Sequence, residues 1–220
     1  MHLQTYLRWA FIILVITALT ACGKTDEKIH EHLEAAVELE EGFLEQQAPL
    51  RLAEKEEYER YEALISQNVG EKEEIEALAA EAIEQTYRRE EIIALEKESM
   101  TASYEAFKNI ESYVEKYKDP DMKALLEEMM KTMSERFHLY ETIAADYVEG
   151  IELDRQLYEM LKDESTSIES LQEQIERINA KYEQINEAKS EFNERTKEYN
   201  EQKREFYNGT KLNVQYSTGR

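Results

Sequence analysis

One cysteine, two prolines and six glycines in 220 residues leave little of the usual punctuation. A lone cysteine makes no internal disulfide, so Cys22 is either a reactive thiol or chemically committed. So few prolines and glycines argue against long unstructured linkers. Glycine-rich phosphate loops, paired-cysteine zinc motifs, and Ser-His-Asp or Cys-His sets are also missing. Positive charge is scarce: 27 Lys and Arg face 49 Asp and Glu, a net charge of −22. That balance repels nucleic acid and anionic surfaces and leaves only diffuse binding of cations. High charge can also signal disorder, but the apolar residues here are too regularly spaced for that.

Long hydrophobic runs are missing as well. The one uncharged apolar stretch, Trp9 to Leu19, rises only about 16 Å as helix, roughly half of a bilayer's hydrocarbon thickness. It follows Arg8 and reads as a signal-peptide core rather than a finished membrane span. It ends in Leu19-Thr20-Ala21-Cys22, which resembles the lipobox of bacterial lipoproteins. There a peptidase cuts between Ala21 and Cys22, and the cysteine carries the lipid. Leu19 stands where an ordinary secretory signal needs a small residue, which favours lipobox processing. One acyl chain anchors only marginally, so Cys22 carries two or three palmitate-class chains in this reading. The partners then include the lipid membrane through acylated Cys22, on the extracytoplasmic face. Cleavage removes Arg8 alone among charged residues, leaving 26 basic and 49 acidic side chains, net −23.

The reading divides the chain into a signal peptide at 1–21, a lipidated tether at 22–28, a helical bundle at 29–207 and a flexible tail at 208–220. In the first helix Ile29, Ala36 and Phe43 recur every seven residues, with Leu33, Val37 and Leu44 beside them. Pro49 lacks a backbone donor and predicts a kink or short break. The pattern resumes through Tyr58, Tyr61, Leu64 and Ile65, and Asn68-Val69-Gly70 predicts a stop. A second helix is expected from about Glu71 to Lys118, on a stripe that includes Ile75, Leu78, Ala82, Ile83, Ile93, Met100, Phe107 and Val114. Asp119 as N-cap and Pro120 as first residue open a third, to about Lys162. Its core positions include Leu126, Met133, Tyr140, Tyr147 and Leu161, interrupted by Asp154. Thr166 with Glu169 suggests a capping box for the fourth. There Leu171, Ile178, Ile185, Phe192, Tyr199 and Phe206 hold strict seven-residue spacing, joined by Ile168, Ile175 and Tyr182. Asn208-Gly209 ends it.

Short connections between helices of similar length force antiparallel neighbours. The expected fold class is all-α: an elongated four-helix up-and-down antiparallel bundle with coiled-coil-like packing, about 65 Å long. The turns Asn68-Val69-Gly70 and Ser165-Thr166-Ser167 then lie opposite the anchored end and are the candidate interaction turns.

Two Glu-x-x-His motifs, Glu27 with His30 and Glu135 with His138, invite comparison with di-iron bundles. The heptad register points Glu135 and His138 outward, and the two motifs fall at different heights, so no metal or other cofactor is expected. His30 and His32 fall on different helix faces and read as solvated surface residues. Catalytic carboxylate pairs need a concave, desolvated site, which a continuous bundle rarely offers, so the chain reads as non-enzymatic. Among fourteen tyrosines, Tyr140, Tyr147, Tyr182 and Tyr199 fall on core stripes, while Tyr58, Tyr61 and Tyr87 are candidates for an exposed stacking surface. Arg89, Arg136 and Asp154 occupy heptad positions that expect apolar residues, and read as snorkelling or register-setting groups.

The lipobox with Gly23 after it, the acidic helices, the turn Lys118-Asp119-Pro120-Asp121 and the closing Asn208-Gly209 together resemble the YkyA-like family, described as putative cell-wall-binding lipoproteins of Bacillus-type Gram-positive bacteria. The resemblance implies a four-helix up-and-down bundle attached at the outer membrane face. The leading functional expectation is a non-enzymatic envelope lipoprotein that contacts the cell wall or another envelope protein, and not nucleic acid. A chaperone-like or adaptor module for exported proteins is the alternative.

Overall fold

The computed structural model describes the backbone of residues 3–66 and 72–210, and side chains over 24–66 and 72–210. Its elements are α1 (Leu3–Ser66), α2 (Lys72–Lys108), the one-turn α3 (Glu111–Val114), α4 (Pro120–Lys162) and α5 (Ile168–Gly209). The chain is an all-α bundle, with no strand among the described residues. Two compact units share these helices. Unit 1 takes Met1–Glu38, Ser103–Glu135 and Arg195–Arg220; unit 2 takes Leu39–Ala102 and Arg136–Glu194.

Within unit 2 the pairings fix direction. Gln47 meets Glu96 and Glu57 meets Arg89, so α1 and α2 run antiparallel. Arg89 meets Asp154, and Arg155 meets Thr86, so α2 and α4 do the same. Lys181 reaches Asp146 while Gln174 reaches Leu153, which reverses α5 against α4. This is the up-and-down order that short connections predict.

The reason for the packing is visible in α2. Ala79, Ala82, Thr86, Arg89, Ile93, Glu96, Met100, Ser103 and Phe107 are all buried, at alternating spacings of three and four. That is an uninterrupted heptad seam, in which four members are polar. Unit 1 packs Ile29, Leu33, Phe107, Leu126, Met129 and Phe206 into its core. Unit 2 holds two clusters, one around Ile93, Tyr147, Ile151 and Phe192, the other around Leu64, Ala79, Ala82 and Tyr158.

Several expectations are corrected. No break occurs at Pro49, which lies inside α1. Packing holds the backbone on both sides of it, through the Gln47–Glu96 hydrogen bond and through Leu50 and Ala53 in the core, and this outweighs the one hydrogen bond proline forfeits. The second helix does not reach Lys118. Asn109 turns its side-chain amide onto the carbonyls of Glu105 and Ala106, and Asn109 and Ile110 donate three residues back instead of four. Such tightening ends a helix, and α3 follows. The capping box of Thr166 and Glu169 is replaced by Ser167, whose Oγ accepts from the Ser170 amide at 3.1 Å. Asp119 does cap α4, accepting from the amides of Asp121 and Met122. Ile168, expected on the core stripe, is 70% exposed, and Leu44 is 62% exposed. The stretch 24–28, expected as a tether, is helical within α1, and buried Asp26 accepts from the Tyr117 hydroxyl.

Candidate functional site

One polar member of the α2 seam, Arg89, meets buried acids from two other helices within unit 2. Arg89 comes from α2, Glu57 from α1 and Asp154 from α4, and all three are buried. Arg89 Nη1 donates to Glu57 Oε2 at 2.7 Å and to Asp154 Oδ2 at 2.9 Å. Its Nη2 donates to the Tyr182 hydroxyl on α5, which in turn donates to Asp154 Oδ2, each at 2.5 Å. Tyr158 donates to Glu57 Oε1 at 2.9 Å, so both oxygens of Glu57 are occupied. A further tyrosine, Tyr147, stacks beneath the guanidinium at 5.0 Å and donates its hydroxyl to Glu54. Arg89 Nε is buried without a hydrogen-bond partner among the described residues.

Snorkelling is therefore overturned for Arg89, and also for Arg136. Arg136 is buried over the Phe192 ring at 4.7 Å and pairs with Glu40. A guanidinium surrounded by carboxylates and tyrosine rings is better solvated there than its position in the heptad suggests. Asp154 pairs inward for the same reason.

Beside this cluster lies a cavity of about 370 Å³. Its polar wall is Arg89, Glu54, Glu57 and Asp154; its apolar wall includes Leu157, Ile175 and Ile178; Tyr58 and Tyr61 belong to its rim. That volume lies within the range of small-molecule sites. Burial raises the carboxyl pKa of both Glu57 and Asp154, and the Arg89 charge opposes the rise without cancelling it. Burial also raises the phenol pKa values of Tyr147, Tyr158 and Tyr182, so all three stay neutral donors.

A second groove in unit 2, of about 570 Å³, runs between α2, α4 and α5. Tyr87 lies in it under Arg155, whose guanidinium sits 4.1 Å from the ring centroid and pairs with Glu90 and Glu152. The three tyrosines considered for an exposed surface thus divide between the two concavities.

His138 is exposed and contacts Glu141, while Glu135 pairs with Arg195 and Lys131. His30 and His32 are half-buried rather than solvated, with their rings against Tyr207 at 5.2 Å and Tyr113 at 5.7 Å. Among the described residues no group of three or more His, Cys, Asp or Glu is arranged to hold a metal ion. In the turn after α4, Ser165 donates from its amide and hydroxyl to Asp163 Oδ1, Thr166 is half-buried, and Ser167 caps α5. Asn68, Val69 and Gly70 lie outside the described residues, as do the side chains of Leu19, Thr20, Ala21 and Cys22. Among the described residues no helix is long and apolar enough to cross a membrane.

Sequence reasoning missed Glu54, Glu57, Glu96 and Ser103 as inward-facing residues. For Glu96 and Ser103 the signal was the α2 seam, and for Glu54 and Glu57 the neighbouring buried positions Leu50, Ala53 and Leu64 of α1, had polar residues been counted along them.

Comparison with known proteins agrees with the architecture. The family model YkyA, "Putative cell-wall binding lipoprotein", matches residues 24–209. The chain is 33% identical over 159 residues to the "Uncharacterized lipoprotein YkyA" of Bacillus subtilis (strain 168), covering 71% of each chain. A crystal structure of a conserved protein of unknown function from Staphylococcus aureus shares the fold, with a TM-score of 0.56 at 12% identity, over 83% of this chain and 88% of that one.

Proposed function

The chain belongs to the YkyA family of lipoproteins, and on that premise we propose that it is a non-enzymatic binding protein of the cell envelope. Cleavage between Ala21 and Cys22 and acylation of Cys22 hold it at the outer face of the cell membrane. Unit 2 makes contact with the cell wall or with another envelope protein. The observation that carries this reading is the cavity beside Arg89, Glu57 and Asp154, concave and mixed in polarity as binding sites are. Its charged groups are held in place rather than poised for reaction: Arg89 engages both acids, and tyrosines complete the cluster. The family description supports the wall as the surface met. The exposed Ser165 turn belongs to the same unit and is a second point of contact.

Sedimentation with purified wall material, alongside pull-down from intact envelopes, tests the reading. Full-length protein is expected to co-sediment with wall, or to capture a defined envelope protein, and a Tyr58→Ala variant to do so more weakly. Binding to neither overturns it. Cys22→Ser is expected to abolish lipid labelling and release the protein from membranes.

The adaptor reading draws on one observation, the exposure of Leu39, Leu44, Leu52 and Leu95 in unit 2. It requires that the protein suppress aggregation of an unfolded client, which wall binding does not.

A further inference from the structure

We propose that the unit 2 cavity is a binding site for a primary ammonium group carried on a short aliphatic stem. This deepens the envelope-binding reading and rests on it for the biological source of the ligand, while the cavity chemistry stands by itself. Three carboxylates, Glu54, Glu57 and Asp154, line the space against one guanidinium, Arg89. An anion is repelled there, and a cation is drawn in.

The cavity also presents an acceptor without a donor among the described residues. Only 8% of Asp154 is exposed, and all of its hydrogen bonds fall on Oδ2, from Arg89 and Tyr182. Among the described residues its Oδ1 accepts no hydrogen bond and is not one of the fully buried unpartnered atoms, so it remains an accessible acceptor on a residue that lines the cavity. Half-buried Glu54 likewise takes the Tyr147 hydroxyl on Oε1 and, among the described residues, no donor on Oε2. Two open carboxylate oxygens on one cavity ask for a donor with several N–H bonds. A primary ammonium has three, whereas a quaternary ammonium has none. A metal ion is a poorer match, because the acids are not grouped as ligands among the described residues.

The remaining wall fits the rest of such a ligand. Ile175, Ile178 and Leu157 supply an apolar surface for the stem. Tyr58, 58% exposed, lines the same cavity and supplies an aromatic ring of the kind that attracts cations.

The experiment is calorimetric titration of the full-length lipoprotein in detergent micelles with n-pentylamine. Pentanoate, 1-pentanol and tetramethylammonium are titrated at matched ionic strength. Saturable binding of pentylamine is expected, at least tenfold tighter than each control, with at least a tenfold loss in Asp154→Asn and a smaller loss in the rim variant Tyr58→Ala. Equal binding of 1-pentanol or tetramethylammonium overturns the proposal, as does an unchanged affinity in a folded Asp154→Asn protein. If that variant does not fold, Glu54→Gln takes its place, with the same tenfold loss expected and unchanged affinity counting against the proposal. Wall co-sedimentation is measured on the same samples. Pentylamine binding without wall or envelope-protein binding defeats only the envelope reading, and wall binding without pentylamine binding defeats only the present one.

Discussion

Arg89 and Asp154 stand 65 residues apart in the chain and share a charged hydrogen bond of 2.9 Å inside unit 2. Arg89 holds Glu57 from the same nitrogen, so one cation serves two buried acids. Removing it strands both. Arg89→Met is expected to destabilise the protein by about 3–5 kcal/mol, since an uncompensated buried charge costs far more than the pair contributes. The loss should shrink on acidification, as the carboxyls protonate. Replacing all three with Met or Leu should recover most of the stability, measured by urea denaturation. A triple variant as unstable as the single one would contradict this account.

Glu96 sets a pH dependence. Burial raises its carboxyl to about 7, against the opposing charge of Lys189 and with the help of Glu54. Gln47 donates to it at 2.7 Å. The folded state therefore keeps a proton that the unfolded chain releases near its ordinary value of 4.5. Stability is greatest below that value and falls as pH rises toward about 7, by as much as about 3 kcal/mol. Glu57 and Asp154 are shifted in the same direction by burial. Urea melts at pH 5 and pH 8 are expected to show the loss, and Glu96→Gln, which keeps the acceptor for Gln47, should reduce it. An equal loss in the variant would assign the pH dependence elsewhere.

Pro49 costs α1 a hydrogen bond that its neighbours' packing overrides. With the helix continuous there, Pro49→Ala restores a donor toward the carbonyl of Glu45. It should stabilise the protein by about 1–3 kcal/mol. A thermal melt shifted downward instead would mean that the proline ring itself is needed by the packing.

The start of α5 distinguishes two adjacent hydroxyls. Ser167→Ala removes the side chain that caps the Ser170 amide, at an expected cost of about 0.5–2 kcal/mol. Thr166→Ala should stay within about 0.5 kcal/mol. Reversal of that order in chemical denaturation would restore Thr166 as the cap.

Much of the bundle was legible because local rules and the heptad agree. Asp119-Pro120 starts α4 where an N-cap and a first-turn proline belong. Leu126, Met133, Tyr140 and Tyr147 are buried as their spacing demands. Reading failed where a polar side chain replaced an apolar one. Glu57 lies on the buried face of α1, and Glu96 and Ser103 on the α2 seam, yet a hydrophobicity pattern passes over them. Whether such a residue faces in depends on a partner from another helix, and Arg89, Gln47 and Asp154 are not neighbours in sequence. Ile168 erred the other way: periodicity assigned it to the stripe, but at the first residue of α5 it remains exposed.

By itself, the sequence determined an acidic, all-helical chain, its up-and-down order and the lipobox resemblance at Cys22. Those follow from composition, period and short turns, which act over a few residues. Only the tertiary structure decided that Arg89 turns inward, that Pro49 passes without a break and that a cavity lined by carboxylates opens beside Tyr182. Each depends on side chains brought together from different helices. The cost of burying a charge, or of a missing backbone donor, is offset by contacts no single stretch of chain contains.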